Sequence, residues 1–220
     1  MTGLFSMRYN RPKHEFLSKT IEKGDDGMNA VGSVRKIKEA TLALSKKTRC
    51  EKISVSMVIA KAQIARSTFY KQFPGMAEVW HSFSHDFIHS LAQQRDELYV
   101  APARIITEPK QSHVAMLASQ NPSALADYFS GFFLRHQHLL KCLVKENLDP
   151  LFLKKWKEFT CSIFVEILQH RNCSRQESFE IAEILSAGLV GRGKDAIFSK
   201  DASPLYGHYM TAYKILFSLS

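Results

Sequence analysis

Residues 53–80 read ISVSMVIAKAQIARSTFYKQFPGMAEVW and carry the clearest local signals in the chain. Ser54 is a side-chain acceptor placed to cap a short helix over residues 54–61. A second short helix is predicted over residues 66–72, because Pro74 and Gly75 end it. Two short helices separated by about four residues indicate a helix-turn-helix unit.

The residues before this stretch predict one more helix. Ser33 precedes a segment whose apolar side chains recur every three or four residues, as on one face of a helix. These side chains are Val34, Ile37, Ala40, Thr41 and Leu44. With the two short helices they predict a three-helix domain over residues 33–75. The preceding EKGDDGMNAVG, residues 22–32, is polar and interrupted by glycine, so residues 1–32 are interpreted as a flexible basic tail.

The residues that follow this domain carry signals of helices only. Residues 76–98 predict a long helix, and the pairs Asn121-Pro122, Asp149-Pro150 and Ser203-Pro204 each place a capping residue before a proline at a helix start. Ser174 and Glu177 have the spacing of a capping box. No segment alternates as a half-buried strand does. The sequence therefore predicts an all-α protein of about nine helices, with a second domain over residues 76–220.

Charge divides the chain at the same place. The 220 residues carry a formal net charge of +9, and residues 1–75 hold 15 basic and 6 acidic side chains. Residues 76–220 hold 15 of each, so the whole excess lies in the first third. This asymmetry indicates a basic N-terminal module that meets an anion.

Several classes of protein are excluded or disfavoured. The four cysteines form no C-x-x-C pair, which disfavours a zinc ribbon, and no apolar run approaches the length that spans a bilayer. A cytoplasmic protein without membrane contact or cofactor is expected. Residues 188–194, GLVGRGK, have the spacing of a phosphate-binding loop, but Asp195 stands where a hydroxyl must hold magnesium, and the segment before it reads as helix. No catalytic motif is found, so the chain is not expected to be an enzyme.

The segment from Ser33 to Trp80 resembles the DNA-binding domain of the tetracycline-repressor (TetR) family. The most specific part is Arg66-Ser67-Thr68-Phe69-Tyr70 followed by Phe73-Pro74, which is similar to the family's recognition helix and the turn after it. The resemblance implies a helix-turn-helix DNA-binding domain joined to a helical domain for ligand binding and dimerisation. It also implies a homodimeric repressor that binds a palindromic double-stranded operator and releases it when a small-molecule effector binds.

The residues of the second short helix suit this role. A helix in the major groove needs short polar or basic side chains on its outer face. Arg66, Ser67, Thr68 and Lys71 supply them, and Tyr70 offers a hydroxyl to a phosphate. Phe69 and Phe73 would face the other two helices. The remaining candidate DNA-binding residues, outside this helix, are Ser54 and Lys36.

Three positions depart from the family's pattern. Gln63 stands at the turn position where glycine is usual, Ala65 stands where a serine usually caps the recognition helix, and Met76 replaces a lysine that often opens the fourth helix. These departures motivate an alternative from another class, a helix-turn-helix protein degenerated to a protein-interaction module.

In the second domain, aromatic side chains at helical spacing are candidate ligand contacts, although such side chains also form plain cores. The candidates are Phe87, Phe129, Phe133, Trp156 and Phe159. The last two predicted helices, residues 174–198 and 204–219, resemble the pair through which family members dimerise. They offer apolar area with few long charged side chains, as the core of a dimer interface needs.

A histidine series raises one further alternative. His81, His85 and His89 stand four residues apart and lie on one face of the predicted fourth helix. Two of them have the spacing of zinc ligands, which would make the protein a metal-sensing regulator; no cysteine or carboxylate spacing supports this, and no metal is expected. Cys142 and Cys161 are either redox-sensing thiols or buried inert cysteines.

Overall fold

The computed structural model describes residues 24–100, 122–171, 173–198 and 203–218. Within these residues it contains nine α-helices, one short 3-10 helix and no strand, which confirms the predicted all-α class. The structure divides between Met76 and Ala77 into two compact units; the sequence predicts this boundary one residue earlier. No helix in the described part of the chain is long and apolar enough to cross a membrane.

Among the described residues, four helices begin before residue 77. They are α1 (Gly24–Ser45), α2 (Val55–Ala62), α3 (Arg66–Gln72) and α4 (Met76–Val100), with the 3-10 helix Cys50–Lys52 between the first two. The remainder comprises α5 (Pro122–Arg135), α6 (Gln137–Lys145), α7 (Phe152–His170), α8 (Arg175–Phe198) and α9 (Ser203–Ser218).

The first unit is a three-helix arrangement in which α1 packs against α2 and α3, and α2 packs against α3. Ile37, Ala40 and Thr41 of α1 are buried, and so are Val58 of α2 and Phe69 of α3. The apolar face predicted for α1 is therefore the face that the structure buries at its centre.

The start of α1 was predicted wrongly. The helix begins at Gly24 rather than after Ser33, so residues 24–32 of the expected flexible tail are helical. Local propensity favours turns at the glycines and aspartates of this segment. These preferences amount to about 1 kcal/mol or less per residue, so they weaken a helix without forbidding it.

The turn between α2 and α3 shows how the sequence shapes the motif. Ser54 caps α2 by accepting a hydrogen bond from the Met57 N–H at 3.3 Å. Gln63, directly after α2, has φ 52° and ψ 49°, which is the left-handed conformation. Its N–H donates to the Ile59 carbonyl, and Ile64 N–H donates to the same oxygen at 3.4 Å. Ala65 precedes α3 in an extended conformation and makes no side-chain cap.

Replacing Gln63 with glycine should raise the free energy of unfolding by about 0.5–1 kcal/mol. A residue with a Cβ is strained in the left-handed region by roughly 1–2 kcal/mol, and glycine relieves this strain while losing more freedom on folding. Chemical denaturation of wild type, Gln63→Gly and the control Gln63→Ala measures it. Alanine keeps the Cβ, so Gln63→Ala should not relieve the strain. If Gln63→Ala stabilised the protein as much as Gln63→Gly does, backbone strain at Gln63 would be contradicted.

The second unit is held by aromatic side chains between its helices. Phe87 of α4 contacts Phe132 and Phe133 of α5 with ring centroids 5.1 and 5.4 Å apart, and Phe152 of α7 at 5.6 Å. Helix α8 packs against α6, α7 and α9, and α9 packs also against α5 and α7. The start of α8 carries the predicted capping box, because Ser174 Oγ accepts from the Glu177 N–H at 3.3 Å and Glu177 Oε2 accepts from the Ser174 N–H at 3.1 Å.

The pair Asp149-Pro150 predicts a helix that begins at Pro150 and is capped by Asp149. This prediction is wrong, because α7 begins at Phe152. The buried carboxylate of Asp149 accepts from the Leu151 N–H at 3.0 Å and from Lys155 Nζ at 3.2 Å, and His81 Nδ1 of α4 lies 3.5 Å away. Burial alone would raise the pKa of Asp149, but hydrogen bonds from Ser84, Leu151 and Lys155 outweigh it and hold the pKa below its ordinary value of 3.8. The carboxylate thus joins α4 to the start of α7.

Replacing Asp149 with asparagine should lower the free energy of unfolding at pH 7 by about 1–3 kcal/mol, because it leaves Lys155 without its buried partner. The folded state favours the ionised carboxyl, so its contribution is fully present above the ordinary pKa of 3.8 and is lost as the pH falls through the lowered one. Urea unfolding between pH 7 and pH 3 should therefore show a flatter acid limb for Asp149→Asn. The same change at exposed Asp127 is the control, and equal losses for both variants would contradict this role.

Candidate nucleic-acid interface and ligand cavity

Helix α3 separates its buried and exposed side chains as a recognition helix requires. Phe69 is fully buried and Phe73 nearly so, which fixes the inner face of the helix on the first unit. On the outer face Arg66, Ser67 and Lys71 are exposed, and the Tyr70 side chain is 46% exposed. Thr68 is half-buried at the margin. Of the five side chains of α3 that are predicted to contact DNA, four are therefore exposed on the same face of the helix.

Aromatic contacts fix the orientation of this face. The Phe69 ring meets the Tyr70 ring edge-on at 5.5 Å and lies 6.2 Å from the Phe73 ring. The Arg66 guanidinium carbon lies 5.7 Å from the centre of the Tyr70 ring, within the range of a cation–π contact. Tyr70 therefore positions Arg66 in addition to presenting its own hydroxyl. Sequence reasoning missed this pair, although the four-residue spacing on one helix could have indicated it.

The two other predicted DNA-binding residues lie outside α3 and are exposed. Ser54 uses its hydroxyl oxygen as an acceptor in the α2 cap, which leaves the hydroxyl hydrogen as a donor for a phosphate oxygen. Lys36 lies on α1 next to the buried Ile37 and points its charge to solvent. Both residues have the chemistry of backbone contacts, which position a protein on DNA without reading its sequence.

The first unit is strongly cationic. Residues 33–75 contain ten lysines and arginines and only two carboxylates. Glu39 lies 3.9 Å from Arg35, and Glu51 lies 2.8 Å from Arg49, so each of these carboxylates is next to an arginine. The basic residues Arg8, Arg11 and Lys13 of the predicted tail lie outside the described residues. A surface of this charge attracts a polyanion, and its affinity for the polyanion should fall strongly as the salt concentration rises.

The predicted ligand contacts fall mostly around one cavity in the second unit. Phe129, Phe133, Trp156 and Phe159 line it, together with side chains from α4, α7 and α9. Phe87 does not line this cavity; its ring is instead enclosed by the aromatic rings of α5 and α7. The cavity has a volume of about 10 Å³, which is the room one water molecule needs.

The histidine series does not converge on a metal site. His81 contacts Asp149, His85 Nδ1 lies 3.9 Å from Asp86, and the rings of His85 and His89 are stacked at 6.2 Å. Among the described residues no three histidine, cysteine or acidic side chains are grouped so that they could hold a metal ion. The metal-sensing alternative thus gains no support from the geometry.

Two other sequence signals, the glycine-rich segment and the pair Cys142 and Cys161, lie in α6, α7 and α8. Residues 188–194 lie inside the continuous helix α8, where the backbone cannot form a phosphate-binding loop. Cys142 and Cys161 are both buried. Cys142 is disulfide-bonded, so it has no thiol, whereas Cys161 is a free cysteine whose thiol pKa is raised mainly by burial. A raised pKa keeps Cys161 protonated at neutral pH and therefore a poor nucleophile.

Helices α8 and α9 leave apolar side chains and bare backbone on the surface. Ile184 and Phe198 of α8 are 73% and 42% exposed, and Ile215 of α9 is 40% exposed. A Cβ added at Gly188, Gly191 or Gly207 would meet nothing within 4 Å. Gly193 differs, since a Cβ there would come within 2.8 Å of the Trp156 ring. Both helices thus expose apolar side chains, and at the three glycines another helix could approach closely. Charged side chains are exposed on the same helices, namely Arg192, Lys194 and Asp195 of α8 and Lys214 of α9.

Comparison with known proteins gives structural likeness only. No family profile and no curated protein matches the sequence. Among solved structures, a TetR-family transcriptional regulator from Syntrophomonas wolfei has a TM-score of 0.60 and 12% identity, and the match covers 86% of this chain and 96% of that one. A second TetR-family regulator, from Mesorhizobium loti, has a TM-score of 0.52 and 18% identity, with 86% and 97% covered.

The dihydroxyacetone kinase operon activator DhaS is also similar, with a TM-score of 0.55, 16% identity, and coverage of 85% of this chain and 95% of that one. All three likenesses extend over nearly the whole length of the other chain. The chain therefore has the fold of TetR-family transcriptional regulators: a helix-turn-helix unit followed by a helical domain.

Proposed function

We propose that this protein is a DNA-binding transcriptional regulator that uses α3 as its recognition helix. The single observation that carries the proposal is the exposed face of Arg66, Ser67, Tyr70 and Lys71 on a three-helix unit with a large positive charge. Arginine and lysine side chains donate hydrogen bonds to the edge of guanine, and serine can bond to several bases. The tyrosine hydroxyl can donate to a phosphate oxygen. The structural neighbours are transcriptional regulators, which supports this role over an enzymatic one.

The protein acts as a homodimer in this proposal. A twofold dimer presents two recognition helices to a near-palindromic operator, with half-sites separated by whole turns of the duplex. The exposed apolar side chains of α8 and α9 support it, because Ile184, Phe198 and Ile215 would be covered by the second copy. The smooth surface at Gly188, Gly191 and Gly207 suits close helix packing.

Regulation comes from the cavity of the second unit. We propose that a small-molecule effector binds among Phe129, Phe133, Trp156 and Phe159 and changes the affinity for the operator in the cytoplasm. The effector acts only through different affinities for the DNA-bound and free conformations. Repression is the proposed direction of control, while the neighbour DhaS is an operon activator.

Selection of bound duplexes from a random DNA library tests the function, because the library contains every candidate operator. The expected result is enrichment of an inverted repeat whose half-sites lie on one face of the duplex. Recovery of random sequence with uniform weak affinity would contradict the proposal. It would favour the protein-interaction module, whose motivation includes the strained Gln63 and the uncapped start of α3 at Ala65.

A further inference from the structure

The side chain of Arg66 is held by a series of aromatic contacts that begins in the core of the first unit. Phe69 is fully buried, and its ring meets the Tyr70 ring edge-on, with centroids 5.5 Å apart and 83° between the ring planes. The guanidinium carbon of Arg66 lies over the Tyr70 ring, 5.7 Å from its centre. Arg66 is exposed, and these contacts nevertheless give its charged end a defined place on α3.

The hydrogen-bond donors of Arg66 are oriented but not used by this contact. The attraction between a cation and a ring face needs none of the five guanidinium N–H groups. Residues 33–75 contain two carboxylates, and each lies next to another arginine, in the pairs Arg35–Glu39 and Arg49–Glu51. Within this described part of the chain, the fork of Arg66 is therefore held by Tyr70 and is not paired with a carboxylate.

The position of Arg66 on the helix favours a base over a phosphate. Arg66 is the first residue of α3, and Tyr70 follows one turn later on the same face. In helix-turn-helix proteins, the N-terminal residues of the recognition helix contact the edges of bases in the major groove. Arg66 therefore stands where a side chain of α3 can reach a base.

The geometry of the guanidinium group selects guanine among the four bases. In the major groove guanine presents two acceptors, N7 and O6, which match the paired N–H groups of an arginine. Adenine presents one acceptor beside a donor, cytosine presents a donor, and thymine presents one acceptor beside a methyl group. An arginine held in place loses less freedom on binding and does not swing to a phosphate when the base is wrong. The ring of Tyr70 should therefore raise the preference for guanine as well as the affinity.

We propose that Arg66 reads one guanine in each half-site of the operator and that Tyr70 positions Arg66 through its ring. The inference rests on the proposed DNA-binding function and adds the base that the recognition helix selects. The hydroxyl of Tyr70 is separate from this role, because the ring makes the contact with Arg66.

Selection of duplexes from a random DNA library, with the full chain and its variants, locates this base. The wild type should enrich half-sites that have guanine at one position, and Arg66→Ala should lose this preference while the other positions keep theirs. Lys71→Ala is the matched control, since it removes one positive charge from the same exposed face. It should lower the affinity and keep the preference for that guanine.

Fluorescence anisotropy with a selected operator tests the same contact in the wild type. Replacing the guanine of one half-site with 7-deazaguanine removes N7 and should weaken binding about three- to tenfold, and adenine should weaken it about tenfold or more. Tyr70→Leu removes the ring and should lower the preference for guanine over adenine at least about threefold, whereas Tyr70→Phe should keep it. The preference is a ratio measured within each variant, so a general loss of affinity does not change it.

Three results would overturn the inference: no half-site position that prefers guanine, a preference for guanine that persists in Arg66→Ala, or equal preferences in Tyr70→Leu and Tyr70→Phe. A uniform loss of affinity in Arg66→Ala, with unchanged base preferences, would assign Arg66 to a phosphate instead. Failure of the DNA-binding function gives a different result, because the wild type would then enrich no duplex, and the inference would fall with it.

Discussion

The double variant Arg66→Ala, Lys71→Ala should lose about 100-fold or more in affinity for a selected operator. Each side chain lies exposed on the outer face of α3, on either side of Tyr70. A good contact between such a side chain and a base edge discriminates by about 1–3 kcal/mol, and the two losses are expected to add roughly. Because neither residue is buried, the fold and the melting temperature should stay as in the wild type. Fluorescence anisotropy with the labelled operator measures the loss.

The matched control removes the same charge elsewhere. Arg175 and Lys145 are exposed on the second unit, so Arg175→Ala, Lys145→Ala should change operator affinity by less than about threefold at moderate salt. Tyr70→Phe and Tyr70→Ala separate the contribution of the hydroxyl from that of the ring. Phenylalanine removes only the hydroxyl and keeps the ring next to Arg66, whereas alanine removes both. Alanine should therefore cost more than phenylalanine. An equal loss in the test and control double variants would show that general charge, not α3, carries the binding.

Replacing Gly191 with leucine should raise the dissociation constant of the dimer by about 100-fold. The open space above Gly191 is where the second copy is proposed to pack, and an added side chain at a close-packed contact costs about 1–3 kcal/mol. A twofold interface contains the substitution twice, so the cost is doubled. Sedimentation equilibrium of the two proteins measures the change, and operator affinity should fall with it because one half-site is lost.

If the protein is a monomer, Gly191→Leu should stabilise it instead of weakening an interface. If nothing packs on Gly191, leucine only improves the helix and should stabilise the protein by roughly 1 kcal/mol. Gly32→Leu is the control, because Gly32 also lies in a helix with open space above it and belongs to the first unit. It should leave the dimer unchanged. A Gly191→Leu protein that is more stable and unaltered in oligomeric state would rule out this face as the interface.

Local signals in the sequence were sufficient for the recognition helix. The bounds predicted for α3 agree with the structure, because Pro74 and Gly75 cannot continue a helix and Phe69 and Phe73 fix its buried side. The residues of the outer face follow from the same helical period. Their contact with DNA remains a prediction, since exposure alone does not show what they bind.

Features that depend on tertiary approach were not predictable in the same way. The start of α1 was missed because glycine and aspartate favour turns when only local propensity is weighed, whereas here the helix extends into them. The role of Gly193 beside Trp156 depends on α7 and α8 packing together, which no periodicity reports. The enclosure of Phe87 by other rings, away from the cavity, likewise follows from three helices meeting.

The most direct test of the central claim is the anisotropy of the purified protein with DNA from upstream of its own gene and with an unrelated duplex of equal length. Both titrations are run across a salt series, because phosphate contacts give every basic protein some affinity at low salt. We expect the upstream duplex to bind at least about 1,000-fold more tightly at physiological salt, with a preference that persists as salt rises. Equal affinities for the two duplexes, falling together with salt, would contradict sequence-specific recognition by α3.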